Sequence, residues 1–229
     1  MDGVERRPSL MLQFDLGAAR GERHSFLFVG AHCDDIEIGC GATVRKLVSN
    51  FPDAQYSWLV LASDVARADE ARAAARAFLE GAADVSIAVE DFRDGYLPYA
   101  GATVKDTFEE LHDRINPDLV FTHFRLDAHQ DHRLVNELTW NTFRDSVILE
   151  YEIPKFDGDL GTPNVYVTVT EAECREKVEM LLDHYRSQKS RSWFDEATFR
   201  AVMRLRGIEC NAADGLAEAF YSRKLVLGI

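Results

Sequence analysis

The sequence predicts an α/β fold, a Rossmann-like three-layer sandwich around a mainly parallel sheet, on three observations. Short apolar, β-branched runs alternate with amphipathic stretches of helical period along all 229 residues. The two densest polar clusters, residues 32–35 and 129–132, each follow such a run, which is where open parallel sheets bind ligands. No Pro-, Ser- or Gln-rich tract interrupts the chain, and a chain of this length closes one core unaided. The expectation is one domain over 1–229, with 1–24 as an N-terminal extension or edge segment.

Taken in order, the first strand is expected over Ser25–Gly30, running into Ala31-His32-Cys33-Asp34-Asp35. Gly39 and Gly41 then open a helix with Val44, Leu47 and Val48 on one face. A second strand, 58–62, ends at Ser63-Asp64. Alanine content makes 67–79 a helix, and Val85, Ile87 and Val89 mark a third strand over 85–89. Asp94-Gly95 is a turn. A helix over 104–115 stops at Asn116-Pro117, because the residue before proline disfavours helix. The fourth strand, 119–123, leads through the loop 124–130 to a helix beginning near Asp131. Strands over 147–153 and 165–169, helices over 171–185 and 195–206, and a terminal strand over 223–227 complete the pattern. No internal repeat is visible.

The net charge of −13 repels a phosphate backbone unless a basic patch overrides it. Arg67, Arg72 and Arg76 recur on one helix, but Asp69, Glu70 and Glu80 are interspersed, as on a solvated face. Nucleic acid is therefore excluded as a partner. Cys33, Cys40, Cys174 and Cys210 show neither CxxC spacing nor the density of a disulfide framework, which suits a reducing compartment. The apolar run at 10–14 is too short for a signal segment or a bilayer span. A soluble cytoplasmic protein without an integral membrane segment is expected; a homo-oligomer is compatible with the sequence and not required by it.

Chemistry concentrates in the two clusters. His32, Asp34 and Asp35 sit on a tight strand-to-helix loop, where diverging neighbours let only two of the three face one ion. His129 and His132 are three apart at a helix start, which brings them to one side. Together they supply two imidazole nitrogens and one carboxylate with a fourth position for water, the pattern of a catalytic Zn2+ site. Either cluster alone reads equally as helix capping; their joint placement at two parallel-strand ends favours a shared metal.

Ala31-His32-Cys33-Asp34-Asp35 through Gly39-Cys40-Gly41 resembles the AHPDD...GxGG signature of the PIG-L/LmbE-like zinc deacetylases. His129-Gln130-Asp131-His132-Arg133 resembles their HxDH(R) signature. The likeness extends over the helix at 67–76, the Asp94-Gly95 turn, Tyr185-Arg186-Ser187-Gln188 and Ala217-Glu218-Ala219-Phe220, so it covers the chain from about Phe26. Cys33 stands in place of the family's usual proline, and Ala42 in place of a common second glycine. The resemblance implies that His32, Asp35 and His132 bind zinc, that Asp34 is the general base, and that a protonated His129 stabilises the oxyanion. It further implies removal of an N-acetyl group from a small-molecule amino sugar or glycoside. Asp131 is expected to orient a ligand or cap its helix. Asp94, which resembles the family's sugar-contacting turn residue, and Arg67, Arg125 and Trp193 are candidates for substrate contact. Each also has an ordinary surface or core reading.

Three rival readings stand beside this one. Gly39-Cys40-Gly41 after a strand, with Asp64 at a second strand end, suggests dinucleotide binding. A third glycine is missing, and Asp34, Asp35 and Glu37 place negative charge where a pyrophosphate would sit. A metal-bearing sugar-binding protein without catalysis would leave Asp34 without a task. An amidase of a sugar-linked thiol conjugate shares the same site. Cys33 as nucleophile or ligand lacks a third group to orient a Cys–His pair.

Overall fold

The computed structural model describes residues 23–226; the apolar run at 10–14, most of the proposed N-terminal segment and Leu227 lie outside them. In chain order the elements begin with β1 (Ser25–Gly30), α1 (Asp35–Asn50), β2 (Gln55–Ala62), α2 (Val65–Phe78) and β3 (Asp84–Phe92). A short 3-10 turn (Leu97–Ala100) precedes α3 (Gly101–His112), β4 (Leu119–His123), α4 (Gln130–Thr142) and β5 (Val147–Tyr151). Then follow β6 (Val165–Thr168), α5 (Glu171–His184), α6 (Glu196–Glu209) and β7 (Ala217–Tyr221).

These strands form one seven-stranded sheet in the order β3-β2-β1-β4-β5-β7-β6. β1 to β5 pair in parallel, and β7 runs antiparallel to both β5 and β6. The alternation of side chains along a strand sorts the core into two layers. Phe26, Phe28, Tyr56, Trp58 and Phe121 pack with residues of α1, α2, α5 and α6. Leu27, Val29, Leu59, Leu61 and Val120 pack with Val104 and Phe108 of α3 and Val135 and Leu138 of α4. A sheet covered on both faces explains why the strands read as continuous apolar runs. The expected three-layer α/β architecture is the observed one, and no helix among the described residues is long and apolar enough to cross a membrane.

Two expectations need correction. The terminal strand is Ala217–Tyr221, buried throughout, and not 223–227; Val226 is 98% exposed. Alanine and glutamate are poor strand residues, and Glu218 is held there by contacts from elsewhere in the chain. The helix expected to open at Gly39 and Gly41 instead starts at Asp35 and is broken at Cys40, whose φ of −145° and ψ of 20° leave helical space.

Both glycines serve close approach. A Cβ on Gly39 would lie 2.3 Å from the Tyr151 ring, and one on Gly41 2.7 Å from the Phe78 ring. Gly39→Ala is therefore expected to destabilise the fold by about 1–3 kcal/mol, the ordinary cost of overpacking. Denaturant unfolding checks this; unchanged stability would mean that Tyr151 yields freely.

Candidate active site

The order of the strands reverses between β1 and β4, so their carboxyl ends flank a topological switch point. His32 and Asp35 rise from the turn after β1, and His132 from the first turn of α4. His32 Nδ1 lies 3.1 Å from His132 Nε2 and 3.3 Å from Asp35 Oδ2. His132 Nε2 lies 3.5 Å from the same Asp35 oxygen. Nitrogen and oxygen ligands at about 2.0–2.2 Å from a tetrahedral ion stand about 3.3–3.6 Å apart. The two separations to Asp35 fall in that range, and the His32–His132 separation of 3.1 Å lies just below it.

Electrostatics agree with that geometry. Burial opposes the charge on Asp35, but His132, His123 and His32 together hold its carboxyl well below the usual range. Burial and then His123 pull His132 down to about 4, leaving it a neutral donor. Burial also acts against a charged His32, yet Asp35, Asp131 and Asp94 raise it well above its ordinary value. The cluster is thus built to stabilise positive charge at this point.

Outer partners orient the donors. The other ring nitrogen of His132, Nδ1, pairs with Asp127 Oδ2 at 2.9 Å, and Asp127 also accepts from His129 N–H and Lys155 Nζ. Asp131 Oδ2 lies 3.2 Å from His32 Nε2 and accepts from Gly95 N–H, while Oδ1 accepts from Leu97 N–H. Such carboxylate–imidazole contacts fix ring orientation in metal sites. Asp131 thus touches the expected ligand His32, while the helix is capped instead by His129, whose Nδ1 accepts from Asp131 N–H at 3.2 Å.

Sequence reasoning missed Asp127, Lys155 and His123. Asp127 lies two residues from His129 within the loop 124–130; Lys155 carries no local signal. His123 ends β4, stacks on His132 with ring centroids 3.9 Å apart, and lies 3.2 Å from Asp35 Oδ2. Ala31 N–H donates to its Nε2 at 2.9 Å, so that lone pair is already occupied.

Asp34 is 5% exposed and caps nothing with its side chain. Burial and the adjacent Asp35 push its carboxyl up to about 6. Arg67 bridges it to the rim, with Nη2 3.4 Å from Asp34 and Nη1 3.3 Å from Asp94. Asp94 in turn sits 3.1 Å from His32 Nε2, and that hydrogen bond is the main reason its carboxyl drops to about 2. A ring nitrogen of His129 lies within 4.8 Å of donor atoms of His32 and His132. Burial and the charge on His32 lower the His129 pKa, against the protonated form that the resemblance implies. With Nδ1 accepting, the remaining proton is on Nε2.

Arg125 and Trp193 do not join this cluster. Arg125 is exposed and tied by its backbone N–H to Glu150. Trp193 is half-buried against the core beside Phe194. Burial pushes the Cys33 thiol up to about 12, and its Sγ faces Ala62 C=O at 3.6 Å, which removes the thiol from nucleophilic chemistry. The dinucleotide reading also loses its seat. Ala42 and Thr43 N–H, the donors at the helix break, point at the Glu218 carboxylate at 2.9 and 2.7 Å.

Fold and site together place an imidazole–carboxylate cluster at the switch point of a mainly parallel α/β sheet. The chain belongs to the PIG-L family, described as GlcNAc-PI de-N-acetylase, whose model matches residues 27–143. That membership makes it an N-deacetylase, an enzyme acting on an amide bond. Its structure is similar to the N,N'-diacetylchitobiose deacetylase of Pyrococcus horikoshii, at 22% identity and a TM-score of 0.68 over 91% of this chain and 87% of that one. It is similar to a conserved protein of Thermus thermophilus, at 22% identity and TM-score 0.69 over 89% and 96%. It is also similar to the 4-carboxy-2-hydroxymuconate hydratase of Pseudomonas putida, at 16% identity and TM-score 0.72 over 90% and 98%. No curated protein matches the chain in sequence.

Proposed function

We propose that the protein hydrolyses the N-acetyl group of an amino sugar or amino-sugar conjugate, with Zn2+ held by His32, Asp35 and His132. The observation that carries this reading is the spacing of three donor atoms at 3.1, 3.3 and 3.5 Å. When bound, zinc supplies Lewis acidity that makes water nucleophilic near neutral pH and polarises the amide carbonyl.

The chain's own groups do the rest. Asp34 accepts the proton of the attacking water and delivers it to the departing amine; a carboxyl near 6 suits both directions better than an exposed aspartate does. His129 donates from Nε2 to the oxygen on which negative charge develops. Arg67 and Asp94, linked at 3.3 Å, present a charged edge that hydrogen-bonds sugar hydroxyls. The substrate is a small molecule.

One of the similar structures is a hydratase, and a shared fold does not fix the chemistry, so acetate is the informative product. Zinc-loaded protein incubated with free, nucleotide-linked and glycosidic N-acetyl amino sugars is expected to release acetate and a free amine from at least one class. Release from none, alongside hydrolysis of a sugar-linked thiol conjugate, would move the activity to the amidase reading. For His129→Ala, metal content is expected to stay at wild-type level while kcat falls about 10²–10³-fold, the usual loss of an oxyanion donor. Equal loss of metal and rate would make His129 a ligand instead.

A further inference from the structure

In an unbroken helix, Ala42 N–H would donate to Ile38 C=O four residues earlier. The break at Cys40 frees both groups, and a buried ion pair from two distant elements takes them. Lys177 Nζ on α5 donates to Ile38 C=O at 2.7 Å and to Glu218 on β7 at 2.5 Å. Glu218 accepts from Ala42 N–H at 2.9 Å, and from Thr43 N–H and its hydroxyl at 2.7 and 2.6 Å. The side chains are 3% and 2% exposed.

The ion pair therefore stands inside the hydrogen-bond ladder of α1 and divides it. Residues 41–50 continue the helix beyond the break, while the first turn, itself buried, carries Asp35 beside Asp34. Ile38 N–H donates to Asp34 C=O at 3.0 Å, and Asp35 accepts from His32 N–H at 2.7 Å. Lys177, by gripping Ile38, holds the far end of the turn from which both acids and His32 are hung. Apolar residues here would leave Ile38 C=O and the Ala42 and Thr43 N–H groups buried without partners, so the pair is tied to the break in the helix.

We propose that Lys177 and Glu218 are positioning residues of the active site: they lock the broken start of α1 so that Asp35 and His32 face His132, and thereby set metal affinity. The inference rests on the reading of His32, Asp35 and His132 as the metal-binding set.

The test is Co2+ binding to the full chain, read as a dissociation constant and as the visible d–d spectrum, which reports ligand geometry. Glu218→Gln and Lys177→Met are each expected to bind Co2+ about 10–100-fold more weakly, as variants of outer partners do, with an altered spectrum. Thr43→Val removes one hydrogen bond and neither charge; it is expected to move both readouts less and in the same direction. It carries the test if the charge variants do not fold. A control removes Arg206–Glu152, a pair of similar burial at 7% and 5% that lines the same cavity as Ile38, Lys177 and Glu218 but is bonded instead to Gly161, Glu209 and Tyr221. Arg206→Met with Glu152→Gln is expected to lower Tm while leaving Co2+ affinity and spectrum unchanged. Unchanged binding and spectrum in Glu218→Gln and Thr43→Val, or an equal effect in the control, would overturn the proposal. Wild-type protein that binds no Co2+ would refute the metal-site reading itself, and this inference with it.

Discussion

Asp34→Asn is expected to keep the fold and the metal while losing about 10²–10⁴ in kcat/KM, the range for removal of a general base. The side chain is nearly isosteric and gives up no helix cap, since Asp34 makes no side-chain capping bond. Its neighbour Asp35, not Asp34 itself, lies within 3.3–3.5 Å of the histidine donors. The substitution therefore removes a charge beside the proposed metal set without removing a ligand. An amide has no lone pair basic enough to take a proton from water at neutral pH, so the rate falls far more than metal occupancy. The checks are kcat/KM for acetate release and metal content on the same preparation. Near-normal turnover in metal-replete protein would move the base elsewhere.

The parts of this structure that sequence made legible are those whose cause is local. β1 and β4 could be bounded to the residue because each is an apolar run ended by a polar cluster, and both faces of the central sheet are buried. The meeting of His32 with His132, 100 residues apart, was legible for a topological reason: parallel strands put all their carboxyl ends on one edge. What remained hidden depends on distant partners. Nothing near Ala217–Tyr221 marks it as a strand; Glu218 is buried there because donors at Ala42 and Thr43, 176 and 175 residues away, and Lys177 neutralise it. The same partners meet the break of α1 at Cys40, and the helix starts at Asp35, four residues before Gly39. Both glycines proved to be sites of close ring contact, a role that depends on Tyr151 and Phe78. His123 looked like the last residue of a strand, and only the register of β1 against β4 brings it beside Asp35. The state of His129 was likewise set from outside, by burial and the charge on His32.

Loss of the metal set should produce the largest effect of all. Purified wild-type protein is expected to carry about one divalent metal per chain, as an open three-ligand site does, and chelation should remove metal and activity together. In His32→Ala with His132→Ala, two of the three donors at 3.1–3.5 Å are gone. Variants of outer partners already cost about 10–100-fold in affinity, so loss of two ligands should leave no stoichiometric metal after gel filtration. Asp35 and Asp127 would then lose the His132 ring that contacts both carboxylates, which adds a fall in Tm to the loss of turnover. A ligand at about 1,000 times its Kd stabilises the native state by about 4 kcal/mol, so chelated wild type should also melt lower and recover when Zn2+ is restored. The double variant should melt at the same temperature with and without Zn2+. Metal analysis and thermal melts on the two proteins decide the matter: full stoichiometric metal retained in the double variant would show that the cation is held by residues other than His32 and His132.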